Sequence, residues 1–418
     1  MDVDGESLAA EALEWLLGQA REYEAGGLAW VGRTDDDELD PTLYSGTAGI
    51  MLALLEGYRH FGDDRYAVAA ARGARMVAAA VDGAWELTSA LAFGLAGMAF
   101  ALHAVGDMLA EPTASQAARR ALGLVRSQFD GQRWGEQFEL LVGNAGIALA
   151  ALTAGDLDLA VMAATPYLAM AEPTPGGVHW EVRARVPARF HHISHGTLGI
   201  ACALAAVGHA ASRDDLVSLA VQGATDVASR NEAGPDGFLV PHSDPQHRPE
   251  RTERYSFGWC HGPAGDAQVF RLLAQVTGDP AWSVLAGRCW QTVTRSGLPK
   301  RLRPGFWDNN GRCCGTAGVL ALACDRQAEV RDGLPFARVL AGDLAARATT
   351  DARGALWSNY EHRVSPPELA PRTGWAMGNA GIIRELLRYA RIRAGRDAGY
   401  AVAWPDHAPA RTSGPGPA

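Results

Sequence analysis

The segment G-x-x-G recurs seven times along the 418 residues, starting at Gly46, Gly94, Gly143, Gly196, Gly262, Gly315 and Gly378. Successive copies lie 48 to 66 residues apart. One such copy carries no information. Seven at related spacing, each opening an apolar run, mark an array of equivalent structural units. After Gly46 the chain reads GTAGIMLALLEGYRHFG and then DDRYAVAAARGARMVAAAV; the copies at Gly196 and Gly262 continue in the same way. Each unit predicts an apolar helix, a polar break with Asp or Ser as N-cap, and a second, amphipathic helix. A helix apolar all round is a buried one, so the first of each pair belongs inside and the second outside.

Seven inner helices need seven outer partners, and six full units supply six. The last copy is followed by IIRELLRYARIRAG alone, while SLAAEALEWLLGQAREYE near the start has no glycine motif before it. That first helix is placed to be the missing outer partner. Closing the array into a ring removes the exposed ends that an open solenoid must cap. The expected fold is therefore an all-α α/α toroid of about fourteen helices, one domain over residues 1–404. The Pro/Gly-rich stretch 405–418, PDHAPARTSGPGPA, reads as a disordered tail. Segments 176–187, 237–256 and 354–364 alternate β-branched and aromatic residues between turn formers. All precede a glycine motif, which predicts hairpin-like loops clustered on one face, where function often sits.

The formal net charge of −9 argues against a general nucleic-acid binder. No apolar run is long enough for a membrane span. The acidic opening MDVDGESLAAEALEWLL lacks the features of a signal peptide, so a reducing cytoplasm is the expected compartment. Six cysteines in such a chain are no disulfide framework, and clustered ones there point to metal or catalysis.

The two positions before the first glycine of each motif should face the ring axis. In three consecutive copies they read Ser194-His195, Cys260-His261 and Cys313-Cys314; the others carry Tyr44-Ser45, Ala92-Phe93, Leu141-Val142 and Ala376-Met377. Cys260, Cys313 and Cys314 thus converge, and three thiolates suit zinc with a fourth position left open, as in catalytic sites. His195 shares the register of Cys314 and is the candidate acid–base group. His261 is a candidate ligand or supporting group. Cys202, Cys289 and Cys324 sit within apolar helical runs and read as core, and His191 and His192 as structural.

This pattern, with W-C-H-G and C-C-G, resembles the LanC family, the lanthionine synthetase cyclases, over about residues 40 to 390. The resemblance implies an α/α barrel with one zinc ion and a reaction in which peptide Cys thiols add to dehydroalanine or dehydrobutyrine to form thioether rings. It matches the family's zinc ligands to Cys260, Cys313 and Cys314, with cysteine at the last position where relatives often have histidine. It matches the catalytic histidine to His195, and a family aspartate to Glu139, in FELLVGNAG. The family arginine four residues before the first zinc cysteine is Ser256 here, with Arg254 two further back. The implied partners are a dehydrated precursor peptide and, since 418 residues hold no dehydratase segment, a separate dehydratase. Two other readings compete: a non-catalytic zinc protein of this fold that binds peptides, thiols or a partner enzyme, and a different toroid enzyme. A glycosidase needs paired carboxylates, and the motif positions offer only Glu139. A prenyltransferase subunit would not need this register of glycine motifs.

Overall fold

The computed structural model describes residues 4–83 and 86–407. Its helices alternate inside and outside a closed ring. The chain begins with α1 (Gly5–Gly18), followed by the pairs α2 (Thr47–Phe61) and α3 (Asp64–Asp82), and α4 (Leu95–Met108) and α5 (Pro112–Ser127). The third inner helix, α6 (Asn144–Thr153), has a broken partner, α7 (Leu157–Ala164) with α8 (Pro166–Ala169). Then come α9 (Thr197–Ala211) with α10 (Asp214–Ala228), α11 (Pro263–Thr277) with α12 (Pro280–Arg295), and α13 (Thr316–Glu329) with α14 (Leu334–Arg347). The last inner helix, α15 (Asn379–Arg393), packs on α1. Taking α7 and α8 as one interrupted helix, Pro166 having stopped the first, the described residues give the fourteen expected.

Burial follows the pattern of apolar residues. In α4 every residue from Leu95 to Leu102 is buried, whereas α5 buries Ala114, Ala117, Ala118, Ala121, Leu122 and Val125, a single stripe. Asp63 and Asp279 cap α3 and α12 through their side chains, as expected from the polar breaks. At the fourth break the arrangement differs. Ser212 takes a left-handed φ of 53° that ends α9, and Arg213 precedes α10 without a side-chain cap. The inner helix α15 departs further from the apolar expectation, since it buries Arg384, Glu385, Arg388 and Arg391.

The glycine motifs hold the ring together. A Cβ on the second glycine of any copy would lie 1.9–2.4 Å from a carbonyl oxygen of its own loop, so only glycine lets the helix start that close. The same positions meet the neighbouring unit: Gly97 faces Leu43, Gly146 faces Leu91, and Gly49 faces Trp375, which joins the last unit to the first. A belt of backbone hydrogen bonds links the loops. Tyr44 N–H donates to Ala92 O, Ala92 to Leu141, Ser194 to Cys260, Cys260 to Cys313, Cys313 to Ala376, and Ala376 back to Tyr44. The N–H of Leu141 leaves this series and donates instead to the Glu139 carboxylate at 2.9 Å.

Four short two-stranded antiparallel pairs accompany the helices: β1 (Arg21–Tyr23) with β2 (Gly27–Ala29), β3 (Glu172–Thr174) with β4 (Gly177–His179), β5 (Arg189–Phe190) with β6 (Ser243–Asp244), and β7 (Thr349–Asp351) with β8 (Gly354–Leu356). Three close locally; β5–β6 joins two separate loops, Arg189 opposite Asp244. All precede motif loops, on the face where the inner helices begin.

The expected tail boundary at 405 needs correction. Trp404 and Asp406 are buried at 2% and 1% exposure, because the chain after α15 turns back into the ring instead of leaving it. The remainder of that expectation, residues 408–418, lies outside the described residues. No helix among the described residues is long and apolar enough to cross a membrane.

Candidate metal centre and active site

Neighbouring loops of the belt bring Cys260, Cys313 and Cys314 together. Their sulfur atoms lie within 4.8 Å of one another, the only such group of potential metal ligands among the described residues. Cys260 Sγ is 3.0 Å from Cys314 Sγ, and Cys314 Sγ is 3.4 Å from Cys313 Sγ. Sulfurs in a tetrahedral zinc site with Zn–S of about 2.3 Å lie about 3.8 Å apart, so the set has the right donor type and is drawn somewhat tighter than such a site. Cys260 and Cys313 are buried, while Cys314 is partly open.

The three thiols are not equivalent. Hydrogen bonds from Cys260 and Cys314, with a further one from Tyr44, hold the Cys313 thiol well below its ordinary range. The contact with Cys313 pushes Cys260 up. Tyr44 Oη donates to Cys313 Sγ at 3.2 Å, and burial raises the phenol so that it keeps its proton. Sequence reasoning placed Tyr44 at the same motif position as Cys260 and Cys313 but gave it no role; that shared register was the available signal.

His195 stands in the next loop along. Its Nδ1 lies 3.0 Å from Glu139 Oε2, and its side chain keeps 22% exposure while Glu139 has none. The carboxylate is itself fixed by the N–H groups of Leu141 and Val142 at 2.9 and 2.8 Å. With Nδ1 bonded to a carboxylate, Nε2 is the ring atom left to exchange a proton. The pairing also accounts for the gap in the belt, since Glu139 takes the N–H that would otherwise join the third loop to the fourth.

The other candidates separate cleanly. His261 is partly buried, and loss of solvent holds it well below its ordinary range; it packs between His195 and His242 with ring centroids 5.3 and 4.1 Å away. It is not among the clustered ligand atoms and lies behind His195 as a neutral neighbour. His192 pairs with buried Asp266 at 2.8 Å. Burial holds His191 and His242 at about 3. Arg254 binds Glu232 and Tyr255 on the exterior and does not reach the cysteines. Burial pushes Cys324 up to about 12 and raises Cys202 and Cys289, as expected of inert core thiols.

A family model described as lanthionine synthetase C-like protein matches residues 37–248 and 246–339. The chain belongs to this family. Among solved structures, nisin cyclase aligns with a TM-score of 0.65 at 16% identity, covering 89% of this chain and 92% of that one. A D-mannose isomerase aligns at 0.49 with 13% identity, over 92% of this chain and 97% of the other. A cellobiose 2-epimerase from Bacillus thermoamylovorans aligns at 0.46 with 8% identity, over 72% and 89%. No curated protein matches the sequence. The likeness to nisin cyclase carries the α/α toroid. In this lanthionine synthetase C-like chain the cysteine cluster and the Glu139–His195 pair occupy adjoining loops at the mouth of the toroid.

Proposed function

We propose that the chain is a zinc-dependent cyclase that adds peptide Cys thiols to dehydroalanine or dehydrobutyrine and so forms lanthionine or methyllanthionine rings. The observation that carries this reading is the placement of a carboxylate-anchored histidine beside three clustered cysteines. Cys260, Cys313 and Cys314 would hold the metal, and zinc so held keeps a substrate thiol as thiolate near neutral pH.

The chemistry asked of the protein's own side chains is proton transfer. The thiolate sulfur forms a bond to the β-carbon, and the alkene π pair moves into an enolate. The α-carbon then takes a proton, and the net change is an isomerisation. His195 Nε2 is the group to release that proton at the α-carbon. Glu139 fixes the tautomer and orientation of the imidazole. Tyr44 Oη steadies the Cys313 sulfur. Burial of Cys260 and Cys313 keeps water off one side of the centre.

On this reading the substrate arrives already dehydrated, so a separate dehydratase precedes this chain, and the reaction belongs in the cytoplasm. The test is direct. A synthetic peptide with one dehydroalanine and one cysteine is incubated with the zinc-loaded protein. The expected product has unchanged mass and no thiol left for alkylation. A thiol that stays alkylatable at the rate of the protein-free control contradicts the proposal and favours a zinc protein of this fold that only binds peptides or thiols.

A further inference from the structure

The residue three places before the first glycine is aliphatic in four motifs: Leu43, Leu91, Leu140 and Ile193. In the last three it is Trp259, Arg312 and Trp375. Each of the last two immediately precedes part of the cysteine machinery. Arg312 precedes Cys313, and Trp375 precedes Ala376, whose carbonyl accepts the Cys313 N–H at 2.8 Å. Trp259 in turn precedes Cys260. All three side chains are about 1% exposed. The exceptions to the repeat thus form one layer directly beneath the metal ligands.

What fills the space under that layer is the stretch Asp397–His407. It climbs along α15 in the opposite direction. Arg391 Nη2 donates to Gly399 O at 2.9 Å, Arg388 Nε to Ala398 O at 2.6 Å, and Arg384 to Val402 O. These bonds, together with buried ion pairs from Arg388 to Asp325 and from Arg391 to Glu56, account for the three arginines buried on an inner helix. Tyr400 Oη donates at 2.7 Å to Glu385, whose other oxygen accepts from Arg312 Nε at 2.9 Å. At the top, Trp404 stacks flat on Trp375, with centroids 3.6 Å apart and planes 3° apart. The Asp406 carboxylate accepts the Trp259 indole N–H at 2.6 Å.

From this we infer that Asp397–His407 forms the floor of the metal centre, with Asp406 and Trp404 as positioning residues for the cysteine ligands. Asp406 acts through Trp259 on Cys260. Trp404 acts through Trp375 and the Ala376 carbonyl on Cys313. Trp259, free of its acceptor, would leave a buried indole N–H unsatisfied and could swing the loop that carries Cys260. Groups one step removed from metal ligands set ligand geometry and affinity. The inference rests on the metal part of the proposed function and not on the cyclisation step.

Zinc affinity of the folded full-length protein, by competition with a chromophoric chelator, tests it. Asp406→Ala is expected to weaken zinc binding about 10-fold, the lower end of the range for groups supporting ligands. Asp406→Asn, whose amide oxygen still accepts the indole N–H, is expected to bind close to the parent. Trp259→Phe, which removes the donor instead, is expected to reproduce the loss. A purely structural role would lower the melting temperature without moving zinc affinity well below it. Parent-like affinity in folded Asp406→Ala overturns the inference, and should that variant not fold, parent-like affinity in Trp259→Phe does so. A parent that binds no zinc sinks the metal site as well; a parent that binds it while both variants match it sinks only the floor.

Discussion

The ring contains two sectors built on one backbone plan. Units four to six carry His195, Cys260, Cys313 and Cys314 at the positions before the first glycine; units one, two, three and seven carry mainly apolar side chains there. The glycine contacts and the starts of the inner helices are the same in both sectors. Architecture therefore resides in the glycines and carbonyls, which every unit repeats, and chemistry in two side-chain positions that vary. Where the sectors meet, Glu139 of unit three breaks the backbone belt to hold His195 of unit four.

This division predicts separable effects. The largest belongs to the reactive sector: His195→Asn should lower the cyclisation rate by about 10²–10⁴, the usual worth of a positioned acid–base group, with zinc content and melting temperature unchanged. Steady-state rates together with metal analysis check it, and a parallel loss of zinc would blur the two sectors. In the scaffold sector, Gly146→Ala places a Cβ 1.9 Å from the Leu140 carbonyl oxygen. Overpacking at such a site should cost about 3 kcal/mol in chemical denaturation. Zinc per folded molecule should stay at the parent value.

Tyr44 tests the boundary, because it lies in the scaffold sector by position yet touches the proposed ligand Cys313. Tyr44→Phe should weaken zinc binding about 10-fold, as loss of a partner to a metal ligand does. Unchanged affinity would return Tyr44 to the scaffold. A last effect, small near neutral pH, concerns the histidines behind the site. His191 and His242 sit at about 3 in the fold against 6.5 for a free imidazole, both through burial. Their contribution to stability is full above pH 6.5 and is lost as pH falls toward 3, because the unfolded chain binds the extra protons. Each adds up to about 1.4 kcal/mol per pH unit over that window. His242→Phe should flatten the slope of stability against pH by about one proton.

The repeat made much of this readable in advance. Seven glycine motifs gave the number of helices, and the leftover first helix gave the closure, which Gly5 against Tyr389 and Glu6 with His60 now seal. Register alone brought Cys260, Cys313 and Cys314 together, since equivalent positions in a ring of equal units face one axis. The segment Asp397–His407 was not readable. It has no periodicity, its proline invites a tail assignment, and its key contact joins Trp259 to Asp406, 147 residues apart. The β5–β6 pairing was hidden because it joins the loops of two successive units, and the contact of Tyr44 with Cys313, 269 residues away, was signalled only by their shared register. The buried charges of α15 were a usable clue, because arginines on an inner helix require partners, and the carboxylates of neighbouring inner helices, Asp325 and Glu56, supply only some of them.

The central claim is that three cysteines from two adjoining loops hold one metal ion. Metal analysis of the purified protein beside Cys260→Ala, Cys313→Ala and Cys314→Ala tests it most directly. The account predicts one zinc per chain in the parent and a clear loss in each variant, with the fold retained by circular dichroism. Stoichiometric zinc in all three variants would contradict it.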